Sequence, residues 1–220
     1  MRELIVIEGL DGSGKATQAQ LLFNMLKERG FEARKISFPD YDSPSSSLVK
    51  MYLGGDFGTH PDDVNAYAAS SFYAVDRYAS FKRDWEASYQ NGIIIADRYT
   101  TSNAIHQCAK LPGKLWDDYL DWLFEYEYRL LGIPSPNLVI YLRVDPKISQ
   151  ELMKKRYHDE DRRDIHEKDF DYLMHCQEAA DYCAVKLGWK KVECTDGDQM
   201  LPVDEIRKNV FSLSETVFGN

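Results

Sequence analysis

Residues Leu4 to Gln20 read LIVIEGLDGSGKATQAQ: a short apolar run, a glycine-rich turn carrying a lysine, then an amphipathic stretch. In that order they make a strand, an anion cradle and a helix, which is the P-loop of a mononucleotide site. From Gly9 the spacing Gly-x-x-x-x-Gly-Lys fits the Walker A pattern. Glycines let successive backbone N–H groups turn inward on a phosphate chain, Lys15 adds a point charge, and the helix beginning near Lys15 adds its positive end. The pattern's closing Ser or Thr, whose hydroxyl touches Mg²⁺, is here Ala16. Thr17 comes one residue late and faces about 100° away on a helix, so one ligand of the usual metal shell is missing.

Around this unit, strand-like runs recur at Leu4 to Glu8, Ala33 to Phe38, Ile93 to Asp97, Leu138 to Arg143 and Lys190 to Cys194. Alternation with helical segments means parallel strands joined by crossovers. The central runs IIIAD and LVIYL are apolar throughout, as strands covered on both faces are. The predicted fold is α/β, a doubly wound parallel sheet. Its helices are expected at about Thr17 to Arg29, Ser45 to Leu53, Asp62 to Gln90, Leu115 to Leu131, Pro146 to Tyr157, Asp169 to Leu187 and Val203 to Val217. At 220 residues and 44% hydrophobic, the chain reads as one domain, 1–220, able to bury around 70% of its unfolded surface. The SPSSS patch near Ser43 is read as a helix cap rather than a linker.

Composition excludes some classes of function. Lys and Arg number 27 against 36 Asp and Glu, a net charge of -9, and a long nucleic-acid groove needs a basic excess instead. Cys108, Cys176, Cys183 and Cys194 have no CxxC spacing and read as reduced packing residues. The chain starts directly on a strand, and no run of about 18 apolar residues occurs. The expected location is the cytosol, away from membranes.

In doubly wound sheets ligands collect beyond the carboxyl ends of the strands. FPDY at Phe38 to Tyr41, DRYTTSN at Asp97 to Asn103 and KKRYHDEDRRDIHEKD at Lys154 to Asp169 all fall there. Asp97 ends an apolar strand, where a carboxylate is costly unless it serves a metal, a water, a cation or the N-cap of a helix starting near Thr101. Arg98 offers a planar fork to a phosphate or carboxylate. The third stretch places Arg156, Arg162 and Arg163 among acids with no apolar periodicity. It reads as a solvated loop or as a mobile lid at about 154–168 whose arginines neutralise charge during phosphoryl transfer.

With these blocks in place the chain resembles the thymidylate kinase family nearly end to end. The resemblance is carried by EGLDGSGKATQ at Glu8, FPDY at Phe38, FYAVDR at Phe72, ADRYTTSNAIHQ at Ala96, GIPSPNLVIYL at Gly132 and RRDIHEKDFDYL at Arg162. It implies a five-stranded parallel sheet, ATP as donor, thymidine monophosphate (dTMP) as acceptor, Mg²⁺ and a homodimer. On that pattern Gly9, Gly12, Ser13, Gly14, Lys15, Ala16 and Thr17 with Asp11 would hold the ATP phosphates. Asp11 would lie between the phosphate chains and the acceptor sugar, near the 3′-hydroxyl or a metal. Arg98 and Tyr41 would meet the acceptor phosphate, beside Phe38. Tyr73 would stack on thymine, where the family usually has Phe, while Arg77 one turn later donates to the base edge. Ordinary core packing is the other reading of Tyr73. Ser102 and Asn103 would face the base from the opposite wall.

Three departures from the family pattern bear on activity. Ala16 leaves magnesium to Asp11 and Glu167, with Asp97 behind them. His106 stands where many members carry Tyr, at the position of a ribose 2′-hydroxyl. Gly12 occupies the site of a catalytic P-loop arginine, so that role passes to Arg162 or Arg163. Asp164 and His166 are neighbours able to orient them. The implied reaction is transfer of the γ-phosphoryl group of ATP to dTMP. Two rivals are a kinase for another deoxynucleotide or a deoxynucleoside, with Glu8 as base, and a nucleotide-binding homologue impaired in catalysis by Ala16.

Overall fold

The computed structural model of the chain describes residues 1–149 and 170–218. Five strands, β1 (Glu3–Glu8), β2 (Ala33–Ser37), β3 (Ile93–Asp97), β4 (Leu138–Arg143) and β5 (Lys190–Glu193), form one parallel sheet in the order β2-β3-β1-β4-β5. The apolar runs β1, β3 and β4 take the central places, and ARKIS and KKVE take the edges, where charge deters further pairing. Because side chains alternate along a strand, Leu4, Val6, Ile94, Ala96, Val139 and Tyr141 enter one core, while Ile5, Ile7, Ile93, Ile95, Ile140 and Leu142 enter the other.

Helices α1 (Lys15–Glu28) and α8 (Val203–Phe218) cover the second face through Ala19, Leu22, Leu26, Ile206 and Val210. The first face is covered by α3 (Ala66–Ser80), α5 (Thr100–Cys108), α6 (Trp116–Phe124) and α7 (Phe170–Lys186). Two shorter helices, α2 (Ser47–Gly54) and α4 (Glu86–Asn91), add to these, residues 146–149 are helical where the description of that segment stops, and no described helix is long and apolar enough to cross a membrane. The helices that follow β1 and β3 leave to opposite faces of the sheet. This opens a crevice at the carboxyl ends of two adjacent strands, with Ile7 in register with Asp97.

The expected single helix from Asp62 to Gln90 is broken. Asn65 caps α3 by accepting from the Ala68 amide at 2.9 Å, and a π-helical turn, Phe81–Trp85, separates α3 from α4. That turn sends Phe81, Trp85 and Tyr89 into the core, with the Phe81 and Trp85 rings edge-on at 4.6 Å. A second π turn, Glu125–Leu130, ends α6. Ser43 caps the turn leading into α2, in keeping with the SPSSS reading. Helix α5 and a hairpin of Thr195–Asp196 with Gln199–Met200, turning at Gly197, are features the periodicity does not display. All four cysteines are free thiols in the interior.

Candidate functional site

The glycine-rich turn is shaped by contacts that only glycine permits. A side chain at Gly9 would meet the Ser13 hydroxyl at 2.6 Å and the Leu142 carbonyl at 2.7 Å, and Gly12 and Gly14 have φ of 80° and 85°. Gly14 starts α1 with no side-chain cap, and the first turn holds no acid, so its unpaired N–H groups and dipole are left for an anion. Lys15 lies in this turn, its ammonium donating to the Leu10 carbonyl at 2.8 Å and standing 3.8 Å from the Asp11 carboxylate.

Beyond β3 the chain turns sharply. Arg98 has φ 65°, the left-handed region that side chains rarely occupy, and its amide donates to the Ile7 carbonyl of the neighbouring strand. This conformation directs the guanidinium back over the P-loop. It donates to Asp11 and to Ser102 Oγ (3.4 Å), and lies 3.5 Å from His106 Nε2 and 3.8 Å from Glu8. A strained residue at a ligand crevice is the pattern of a functional site.

Electrostatics follows from this packing. Burial pushes Asp11 up, but Arg98 and Lys15 override it and hold the carboxyl well below the usual range. Burial and Arg98 together bring Lys15 down to about 8, against the pull of Asp11, Asp97 and Glu8. Burial would also discharge Arg98, and Asp11, Glu8 and Asp97 keep it protonated. His106 falls to about 3 through burial and Arg98, so it is neutral at pH 7. Tyr172 donates to the His106 carbonyl at 2.9 Å and, with Cys176, flanks Nδ1. That favours a proton on Nδ1 and an acceptor at Nε2 facing Arg98.

The acceptor side is assembled by α3 and the loop after β2. Phe38 is buried against Tyr99, its centroid 5.9 Å away, and Tyr41 is 49% exposed at the crevice. Between them the Asp40 amide donates to Asp76 at 2.9 Å, and the Ser45 hydroxyl donates to the other Asp76 oxygen at 2.6 Å. Tyr73 is half-buried, edge-on to Tyr52 at 6.4 Å, in a small cluster with Phe72 and Ala69.

The expectations for Ser102, Glu8 and Asp97 as a helix cap are corrected by these contacts. Ser102 does not face a base: its hydroxyl donates to Glu8, because a fully buried carboxylate must be paired. Arg77 is 1% exposed, and its Nε and Nη2 donate to Glu127 at 2.7 and 2.5 Å, leaving Nη1. Glu8 is unsuited to be a base, since it accepts from the Gly9 amide (3.0 Å), Thr101 Oγ1 (2.7 Å) and Ser102. Asn103 is buried beside Arg77, donating to the Ser70 carbonyl at 3.3 Å. Asp97 does not cap α5, whose N-cap is Tyr99.

Among the described residues the Asp97 carboxylate has no hydrogen-bond or ion-pair partner, and no group of three or more His, Cys, Asp or Glu could hold a metal ion. An unpartnered carboxylate at this crevice suits Mg²⁺, which is held by one or two carboxylates with substrate phosphates completing its shell. Arg156, Arg162, Arg163, Asp164, His166 and Glu167 lie outside the described residues. Sequence reasoning missed Glu127 and the tethering role of Asp76. The one signal for Glu127 was its position four residues after Leu123, in phase with a buried helical face.

Comparison with known proteins is consistent across sequence and structure. The profile of a family described as "Thymidylate kinase" matches residues 7–196. The thymidylate kinase of Mycobacterium tuberculosis is 30% identical over 154 residues, covering 70% of this chain and 71% of that one. The thymidylate kinase of Danio rerio is 25% identical over 220 residues, covering 98% and 91%. In fold the chain is similar to the solved thymidylate kinase of Candida albicans, with a TM-score of 0.73 at 23% identity over 97% of this chain and 91% of that one.

Proposed function

The chain belongs to the thymidylate kinase family, and from that premise we propose that it transfers the γ-phosphoryl group of ATP to dTMP, giving ADP and dTDP. The observation that carries the reading is the contact of Arg98 with Asp11, which sets a cation of the acceptor side directly over the donor loop. An acceptor phosphate drawn to Arg98 therefore stands next to the phosphates of a nucleotide cradled by Lys15 and the amides from Asp11 to Thr17. A phosphate oxygen of dTMP forms the new bond to the γ-phosphorus as the bond to the β-phosphate oxygen breaks. The attacking oxygen is already anionic, so positioning and charge neutralisation supply the catalysis and no base is needed.

Asp97, with Asp11 and Glu167 as further carboxylates, would hold Mg²⁺. Bound there, the metal would neutralise negative charge on the transferring phosphates. Tyr73 would stack on thymine, Arg77 through Nη1 and Asn103 would read its edge, and His106 with Tyr172 would close the sugar's 2′ side. Tyr41 would support Arg98 at the acceptor phosphate. Arg162 or Arg163 would supply the cation that Gly12 cannot. A homodimer through α3 and a cytoplasmic location complete the reading. The saturated Glu8 carboxylate weighs against a nucleoside-hydroxyl acceptor. The test is calorimetric titration of wild type and Arg98→Ala with dTMP and thymidine. Preference for dTMP should be strong in the wild type and largely lost in the variant, and equal binding of both ligands by wild type would refute it.

A further inference from the structure

Glu127 is a fully buried carboxylate in the π turn that ends α6, and nothing in phosphoryl transfer requires it. It accepts from Arg77 Nε at 2.7 Å and Nη2 at 2.5 Å, from Thr100 Oγ1 at 2.8 Å, and lies 3.5 Å from Asn103 Nδ2. Two of its partners are the residues assigned above to the base edge, one from α3 and one from α5. A buried ion pair is a poor device for stability alone, because well-packed apolar residues of similar volume do as well or better. Its better-attested use is to fix one arrangement, and π turns concentrate at functional sites.

We propose that Glu127 is the positioning residue that aims the base readers and so sets the preference for the thymine edge. The guanidinium is planar and rigid. Holding its Nε and Nη2 edge fixes the direction of Nη1, the one nitrogen left to donate to a carbonyl at C4 of the pyrimidine. Cytosine presents an amino group at that position, donor against donor, and a fixed Nη1 cannot swing aside to relieve the conflict. Thr100 holds Oε2 of the carboxylate from the start of α5, and Asn103, one turn further on, lies 3.5 Å from its Oε1. The inference rests on the base-edge role given to Arg77 in the proposed function.

The test compares kcat/KM for dTMP and dCMP, with the KM for ATP and thermal melting, in Glu127→Gln, Glu127→Asp, Thr100→Val and Arg77→Ala. Glu127→Gln leaves the Arg77 charge unpaired and is at risk of misfolding. Glu127→Asp keeps the charge but withdraws it by one methylene, and Thr100→Val leaves the ion pair whole. A displacement near 1 Å can cost about a hundredfold. Glu127→Asp is therefore expected to lower the dTMP to dCMP ratio by about ten- to a hundredfold with the KM for ATP unchanged, and Thr100→Val to lower it less. An unchanged ratio in folded Glu127→Asp and Thr100→Val, or equal losses for both acceptors and ATP, overturns the proposal. If Arg77→Ala shifts the ratio and the Glu127 variants do not, the positioning role alone fails. If Arg77→Ala itself leaves the ratio unchanged, the base-edge reading fails and takes the inference with it.

Discussion

Lys15 carries the pH dependence of the donor site. Its ammonium is enclosed by protein, with Arg98 opposing its charge and Asp11, Asp97 and Glu8 favouring it, which leaves a pKa of about 8. A bound phosphate chain raises that value, so binding above pH 8 takes up a proton. ATP affinity should be flat from pH 6.5 to 7.5 and then fall by up to about tenfold per pH unit, measured by titration calorimetry. Lys15→Met should abolish the slope, whereas Lys110→Met, at a lysine also near 8 but bound to Tyr52, should retain it. The same shift has a stability sign. A lysine with a lowered folded pKa penalises the fold fully below pH 8, and the penalty is relieved as pH rises towards its ordinary 10.5. Chemically induced unfolding of the nucleotide-free protein should therefore show stability gained, not lost, from Lys15 across that window. In turnover, Lys15→Ala removes a preorganised donor and should raise the barrier by about 2.7 to 4 kcal/mol; undiminished kcat would remove Lys15 from the phosphate cradle.

At the scale of elements, α3 does two jobs with adjacent residues. Asp76 faces the loop after β2 and holds the Asp40 amide and Ser45, while Arg77 turns inward to Glu127. Loss of a hydrogen bond to a charged group costs about 1.5 to 3 kcal/mol. Asp76→Ala should release the segment carrying Tyr41 and raise the KM for dTMP, with the KM for ATP unmoved; equal shifts in both would assign Asp76 to general stability. The strands were legible because their apolar runs are short, bounded and β-branched, and β1, β3 and β4 fall where those runs predict. Helix α5 was legible only as the segment near Thr101 that Asp97 could cap, because TTSNAIHQC carries polar residues that pair inside the protein, Thr101 with Glu8 and Asn103 with the Ser70 carbonyl, so it shows no apolar stripe. The π turns were illegible for a related reason: a 3.6-residue period continues through them with only a one-residue slip. In the site, the P-loop and Arg98 could be read because their chemistry is local in sequence. Glu127 was faint, since among Asp117, Asp118, Asp121 and Glu125 it stands out only by its helical phase with Leu123, and its burial comes from tertiary packing.

On the scale of the whole molecule, Tyr67, Val75 and Tyr78 remain exposed on α3, and helical spacing puts them within one arc of about 80°. A second copy of the chain packed there would bury the aromatic surface and brace the helix that carries Tyr73, Asp76 and Arg77. Light scattering should give twice the chain mass of 25.4 kDa for wild type and single-chain mass for a Val75→Glu/Tyr78→Glu variant; a monomeric wild type would count against the dimer. The decisive measurement, however, is the reaction itself. Purified protein supplied with Mg²⁺, ATP and either dTMP or thymidine should convert dTMP to dTDP with one ADP formed per dTDP, at about 1 to 100 turnovers per second, and leave thymidine untouched. ADP without dTDP, or dTMP made from thymidine in place of dTDP made from dTMP, would contradict the assignment of Arg98 and the P-loop to a phosphate acceptor.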